Sequence, residues 1–124
     1  MPPLIIVDAA NVVGSVPDGW WRDRAGATER LRDRLAPLAE QGLPAWPTEQ
    51  PPEILLVVEG AARAVASVPG VRVIAAPGSG DDTIVDLVAA HHGNRPCLVV
   101  TADRELRRRV TALGAETLGP RSVR

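Results

Sequence analysis

The sequence predicts a three-layer α/β/α fold with a mainly parallel central sheet. Two patterns predict it. Short apolar runs rich in β-branched residues recur along the chain, and continuous runs of this kind are typical of strands that are covered on both faces. Amphipathic helical patterns of roughly 10 to 12 residues separate most of these runs. The 124 residues are enough for one domain, residues 1–124, and no internal repeat or domain boundary is visible.

Five segments are predicted to form strands. The first ends at Asp8, the second at Glu59, and the fourth just before Asp103. The third follows the turn signal Val68-Pro69-Gly70, and the last is short. The predicted strands are residues 4–7, 54–58, 71–74, 97–101 and 116–118.

Helices are predicted between the strands. Apolar residues recur at helical spacing in residues 27–40, 81–91 and 103–113, and a weak, short helix is predicted for residues 61–66. Pro37 is expected to kink or shorten the first of these helices. The proline-rich residues 42–52 are predicted to form a connecting loop.

Composition narrows the class of protein. The 14 basic residues, all Arg, and 15 acidic residues give a net charge of −1, which argues against charge-driven, non-specific binding to long nucleic acid. Base composition of the genome is the simpler explanation for the absence of Lys, although Arg is also the better bidentate ligand for phosphate. The single cysteine, Cys97, excludes a disulfide within the chain. Residues 1–14 lack a basic start and Asp8 interrupts their apolar run, so neither a signal peptide nor a membrane span is expected, and the cytoplasm is the default compartment.

Acidic residues stand at the predicted strand ends. Asp8, Glu59 and Asp103 lie at or just beyond the carboxyl ends of three apolar strands, where open α/β sheets bind their ligands. Asp81 and Asp82 open a predicted helix directly after a Gly-Ser-Gly turn and can face the same edge. Clustered carboxylates repel one another unless a cation lies between them, and oxygen ligands suit Mg²⁺. The pattern predicts a divalent metal site at this edge.

Each acid also has a simpler explanation. Asp81, Asp82 and Asp103 are ordinary residues for the first turn or N-cap of a helix. Glu59 can reach solvent where its strand ends. Asp8 is harder to explain in this way, because it follows four apolar residues and must be paired or solvated.

Other catalytic motifs are absent. The sequence has no phosphate-binding loop that ends in Gly-Lys-Ser/Thr, and the Gly-Ser-Gly at residues 78–80 is too short for a dinucleotide-binding fingerprint. No Ser lies in a Gly-x-Ser-x-Gly elbow. His91 and His92 have neither a Cys nor a second His pair as a partner, so a zinc site is not expected.

The acidic segments, in order, resemble a known family. Ile-Ile-Val-Asp-Ala-Ala-Asn-Val at residues 5–12 resembles the opening of NYN-type, PIN-like nuclease domains. Gly-Asp-Asp-Thr-Ile at residues 80–84 is similar to the Asp-rich helix start of that family. Val-Val-Thr-Ala-Asp at residues 99–103 resembles its last-strand motif, and Glu59 stands where many members carry another acid, more often Asp. The resemblance extends over nearly the whole chain and implies a PIN-like (Rossmannoid) fold.

The resemblance also implies an activity. It indicates a metal-dependent phosphodiester hydrolase, a ribonuclease acting on single-stranded RNA, with Mg²⁺ or Mn²⁺ as cofactor. Asp8, Asp81 and Asp103 are the first candidates for catalysis and metal binding, and Asp82 and Glu59 are further candidate metal ligands.

Substrate contacts are expected from polar and basic residues near the same edge. Asn11 is expected on the loop after the first strand. The two polar candidates have structural alternatives: Asn11 as an Asx-turn residue and Thr101 as a strand-end residue that satisfies backbone groups. The arginines equally suit a solvated helix face. Trp20 and Trp21 either stack bases or pack against the fold. The candidate substrate-binding residues are Asn11, Thr101, Arg63, Arg104, Arg107 and Arg108.

Two other functions stay open. The balanced charge favours a small-molecule phosphohydrolase, similar to a nucleoside-triphosphate pyrophosphohydrolase, that uses the same acids. A non-catalytic nucleic-acid-binding module on the same fold is the third hypothesis, although such a module has no physical reason to keep uncompensated carboxylates together. RNA is the expected partner and a membrane is not. The sequence leaves the oligomeric state open, a homodimer included.

Overall fold

The computed structural model describes residues Met1–Arg124 and forms a five-stranded, all-parallel sheet in the order β3-β2-β1-β4-β5. Each predicted strand is present, with bounds that differ by at most one residue. The prediction of a three-layer α/β/α fold is confirmed. The strands are β1 (Leu4–Asp8), β2 (Glu53–Val58), β3 (Arg72–Ala75), β4 (Cys97–Val100) and β5 (Glu116–Leu118).

Five α-helices connect the strands and cover the sheet, together with three short 3₁₀ turns at Trp20–Arg22, Gly60–Ala62 and Pro120–Ser122. None of the helices combines the length and the apolar character that crossing a bilayer requires. The helices are α1 (Ala9–Gly14), α2 (Arg24–Leu35), α3 (Leu38–Gln41), α4 (Gly80–His91) and α5 (Arg104–Ala112).

Alternate residues of the central strand β1 enter two separate cores. Ile5 and Val7 pack in the core that also holds buried residues of α1 and α2. Leu4 and Ile6 pack in the core that also holds buried residues of α4 and α5. Because side chains alternate between the faces of a strand, a fully apolar strand requires a helical layer on each face. The continuous apolar runs of the sequence therefore correspond to the middle layer.

The side of the sheet on which successive strands are added changes between β3 and β4, so the switch point lies between β1 and β4. β2 and β3 extend the sheet on one side of β1, and β4 and β5 extend it on the other. Connections from β1 and β4 consequently diverge at their carboxyl ends and leave a crevice, the usual place for ligands in an open α/β sheet. The site described below lies along this edge.

Three helix predictions need correction. Residues 9–14, which include the predicted loop residue Asn11, form α1, because the Asp8 side chain caps the turn by accepting a hydrogen bond from the Asn11 backbone N–H. Residues 61–66 form only a 3₁₀ turn at Gly60–Ala62. No side chain caps this turn, because the Glu59 carboxylate accepts a hydrogen bond from the Gly80 backbone N–H instead. The predicted helix 27–40 begins earlier, at Arg24, and ends at Leu35; α3 follows after Pro37.

A buried arginine connects the amino ends of the central strands. Arg95 is 6% exposed, and its Nη1 donates to Glu53 Oε2 at 2.7 Å and to the Pro2 carbonyl at 3.3 Å. These bonds join the segment before β4 to the starts of β1 and β2. The interaction stabilises the end of the sheet away from the acidic residues.

Candidate active site

Asp8 lies in the crevice between β1 and β4. It is the last residue of β1 and only 6% exposed, and by strand alternation it shares a face with Leu4 and Ile6. Its Oδ2 accepts a hydrogen bond from Thr101 Oγ1 at 2.9 Å, and its Oδ1 accepts one from the Asn11 backbone N–H at 3.3 Å. The carboxylate is therefore fixed between the end of β4 and the start of α1.

Burial changes the chemistry of Asp8. Removal from water penalises the charged form and raises the pKa of the Asp8 carboxyl to about 6. The hydrogen bonds from Thr101 and Asn11 oppose this shift, and the negative charges of Asp81 and Glu59 add to it. Near neutral pH the site holds an ionised carboxylate at an energetic cost that a nearby cation would offset.

Glu59 connects the end of β2 to the start of α4. Its Oε2 accepts a hydrogen bond from the Gly80 backbone N–H at 2.5 Å. A Cβ atom at position 80 would lie 3.2 Å from that oxygen, so the close approach favours glycine there. Because the first N–H groups of a helix lack partners within the helix, the Glu59 carboxylate stabilises the N-terminus of α4.

Asp81 lies in the same negative region. Partial burial is the largest cause that raises the pKa of the Asp81 carboxyl, and the charges of Asp103 and Glu59 raise it further. Arg109 opposes the shift. Asp82 also raises this pKa. Together with the effect of Asp81 and Glu59 on Asp8, these interactions place all five predicted acids in one negative electrostatic environment.

Asp103 serves as the N-cap of α5. Its Oδ1 accepts a hydrogen bond from the Leu106 backbone N–H at 2.8 Å, and its own backbone N–H donates to Thr101 Oγ1 at 3.2 Å. The capping role expected from the sequence and a position at the acidic edge therefore coexist in one residue, since one carboxylate oxygen of Asp103 makes no hydrogen bond within the protein.

We expect the Asp103→Ala substitution to lower the free energy of unfolding by about 1 kcal/mol, because it removes the cap of α5. Asp103→Asn keeps an acceptor at that position and should lower it by much less. Urea unfolding followed by circular dichroism measures both values. Equal losses in the two variants would contradict the capping role.

Asp82 points away from the other acids. Its Oδ1 forms an ion pair with Arg109 Nη2 at 3.0 Å, and its side chain is 71% exposed. Successive helical residues are about 100° apart, so Asp81 and Asp82 face different directions from the start of α4. Asp82 adds negative charge near Asp81 but does not join its neighbours across the crevice.

The donor set suits a divalent cation in type and charge. All the candidate ligands are carboxylates, as Mg²⁺ and Mn²⁺ prefer, and among the charged groups that act on Asp81 only Arg109 opposes their repulsion. Their side chains are not drawn together into a group of three or more that could hold an ion in the present arrangement. One oxygen of Glu59 and one of Asp103 are directed to backbone amides instead. Metal binding would require the carboxylates to come closer together.

The two polar candidates for substrate binding connect parts of the site. Asn11 Oδ1 accepts a hydrogen bond from the Ala102 backbone N–H at 2.8 Å, which joins α1 to the segment after β4. The hydroxyl of Thr101 is fully buried and donates to Asp8. Both residues orient the carboxylate edge, a role that the spacing of the motifs did not reveal.

The four candidate arginines differ in the hydrogen bonds and ion pairs that they form. Arg107 Nε donates to the Thr101 carbonyl at 2.8 Å, and Arg108 forms an ion pair with Glu105 on the same helix. Arg63 donates one hydrogen bond, to the Pro77 carbonyl at 2.7 Å. Arg104 is exposed, and neither Arg63 nor Arg104 forms an ion pair. These two cations remain available to a phosphate.

A cleft beside the acidic edge was not predicted from the sequence. It has a volume of about 510 Å³ and lies among α1, α2 and the 3₁₀ turn after β2. Trp20 and Arg24 form one side of it, with the Arg24 guanidinium carbon 5.3 Å from the centre of the Trp20 ring. Its lining residues are Ala10, Val13, Trp20, Arg24, Thr28, Glu59, Gly60, Arg63 and Gly78.

Solved structures share this fold. Two crystal structures of Rae1 (YacP) from Bacillus subtilis, one of them a single-substitution variant, superpose on 96% of this chain and on 70% of their own. The structure without the substitution has a TM-score of 0.73 and 18% sequence identity to this chain. The variant has a TM-score of 0.69 and 17% identity. No family model and no curated protein sequence matches the chain. At such identity the likeness concerns the fold, and the chain shares the fold of Rae1 (YacP) over nearly its whole length.

Proposed function

We propose that this domain is a metal-dependent ribonuclease of the NYN/PIN-like kind that cleaves single-stranded RNA. The observation that carries the proposal is the placement of Asp8, Glu59, Asp81 and Asp103 in one negative region at the crevice between β1 and β4. The likeness to Rae1 (YacP) supports the fold on which the proposal rests. The order of the acidic motifs supports the activity.

Asp8, Asp81 and Asp103 are the residues that would hold Mg²⁺ or Mn²⁺, and Glu59 would join them on leaving the Gly80 amide. A divalent ion supplies charge neutralisation at phosphate and activation of water for attack on phosphorus. Thr101 and Asn11 keep Asp8 in a fixed orientation, which reduces the reorganisation needed for binding.

Two features of the chain bear on how RNA would be bound. Arg63 and Arg104 lie near the acidic edge without carboxylate partners, so each can contact a phosphate. The net charge of −1 limits attraction of long polyanions to such local contacts. RNA would therefore be held by local phosphate contacts along a short single-stranded segment.

Cleavage assays with four substrates test the proposal. Labelled single-stranded RNA should be cut in Mn²⁺ or Mg²⁺ and remain intact in EDTA, whereas duplex RNA of the same sequence should be cut at least about tenfold more slowly. Single-stranded DNA and nucleoside triphosphates complete the set. Intact RNA together with hydrolysed nucleoside triphosphates would overturn the proposal in favour of a small-molecule phosphohydrolase. No hydrolysis of any substrate would favour a binding module.

A further inference from the structure

Apart from Glu59, the residues that line the cleft next to the acidic edge have no part in the proposed catalytic site. Glu59 lies both in the negative region and in the lining of the cleft, so the two are continuous. The cleft volume of about 510 Å³ is within the usual range for sites that take small ligands. A molecule extending from the acidic edge therefore has room to enter.

Two arginines give the cleft positive charge. Arg24 makes no side-chain hydrogen bond or ion pair, and Arg63 uses one of its five N–H donors on the Pro77 carbonyl. Arg108 and Arg109, by contrast, are held in ion pairs with Glu105 and Asp82. Guanidinium groups with free donors suit the geometry of a phosphate.

An aromatic surface accompanies these cations. The Trp20 ring lies against α1, where a Cβ atom at Gly14 would be 3.7 Å from it, and it meets Trp21 edge-on with ring centres 6.0 Å apart. Arg24 extends over the ring. Bases that are free of pairing stack on tryptophan rings and on guanidinium planes, and bases within a duplex do not expose these faces.

We propose that the cleft binds one nucleotide of a single strand, with the base against the wall formed by Trp20 and Arg24 and a phosphate at Arg63. Glu59 then marks the end of the cleft from which the strand continues to the acidic edge. The inference rests on the proposed ribonuclease function and assigns the residues that select an unpaired base.

Binding without hydrolysis tests the cleft. A fluorescein-labelled single-stranded RNA is titrated with the protein in EDTA and followed by fluorescence anisotropy. Trp20→Leu and Arg63→Glu should each weaken binding by about tenfold, the first through lost stacking and the second through charge. Arg34→Glu is the matched control, since Arg34 is exposed and lies outside the cleft, and this variant should bind like the wild type.

A third variant fills the cleft without removing a contact. Ala10 is exposed on α1 and lines the cleft, so Ala10→Met adds bulk there and should also weaken binding several-fold while preserving the melting temperature. If all three cleft variants bind like the wild type, the inference is wrong. Adenosine monophosphate should compete at least about tenfold less well than the unlabelled oligonucleotide, because it occupies a single position. Equal competition would overturn the assignment to a strand.

Different results would overturn the ribonuclease proposal and the cleft proposal. RNA cleavage that persists unchanged in the cleft variants, with unchanged binding, overturns the cleft and leaves the ribonuclease intact. Weaker binding by the cleft variants of a protein that cleaves no RNA supports the cleft and overturns the ribonuclease.

Discussion

Asp8→Asn should lower the rate of single-stranded RNA cleavage by more than about a hundredfold, since changes in residues that only support metal ligands already cost about 10- to 100-fold. The amide keeps an oxygen for the Asn11 backbone N–H but removes the charge from the most deeply buried of the site acids. Initial rates at saturating Mn²⁺ measure the effect, with circular dichroism as a check of the fold.

Asp33→Asn is the matched control. Asp33 is an exposed acid on α2 that pairs only with Arg32, so the variant should cleave RNA at the wild-type rate. Isothermal titration of Mn²⁺ gives a second measurement, in which Asp8→Asn should bind at least about tenfold more weakly than wild type. Equal Mn²⁺ binding by wild type and Asp8→Asn would contradict a role for Asp8 as a ligand.

The free energy of unfolding should fall by up to about 3 kcal/mol between pH 4 and pH 6 through Asp8 alone. Because the pKa of the Asp8 carboxyl is raised from 3.8 to about 6 on folding, the folded state holds the proton over this range while the unfolded state releases it. The stabilising contribution is fully present below the unfolded pKa and is lost as the pH rises through the folded value.

Thermal melts of wild type and Asp8→Asn from pH 4 to pH 8, without metal, measure this contribution. The variant has no carboxyl to ionise at position 8, so its melting temperature at pH 7.5 should exceed that of wild type by roughly 10 °C, and the difference should vanish near pH 4. Mn²⁺ should stabilise wild type at pH 7.5 and have little effect on the variant. A melting temperature of Asp8→Asn that is lower at pH 7.5 would contradict the burial penalty.

The sequence predicted the sheet and the position of the acids well, for a physical reason. A strand buried on both faces must be apolar throughout, and the first charged residue after it marks where the strand leaves the core. Asp8, Glu59 and Asp103 were located by this rule alone. Their actual partners, the Gly80 amide for Glu59 and the Leu106 amide for Asp103, depend on rotamers that no sequence pattern specifies.

Other parts of the site depend on contacts between distant residues. The six residues of α1 are too few to show a helical period, so Asn11 was assigned to a loop. The cleft combines Trp20 and Arg24 with Glu59 and Arg63, roughly forty residues away, and the contact of α2 with the 3₁₀ turn after β2 brings them together. The turning of Asp82 towards Arg109 likewise depends on how α4 and α5 pack.

The pairing of β1 with β4 has a consequence for synthesis of the chain. β1 is synthesised before both of its neighbours in the sheet, and one of them comes from residues 97–100. Until that segment is available, one side of β1 keeps unpaired N–H and C=O groups on an apolar strand, a template for pairing with other chains. We therefore expect nascent fragments that stop before residue 97 to aggregate or to bind chaperones, and the crevice to form only when β4 closes that edge.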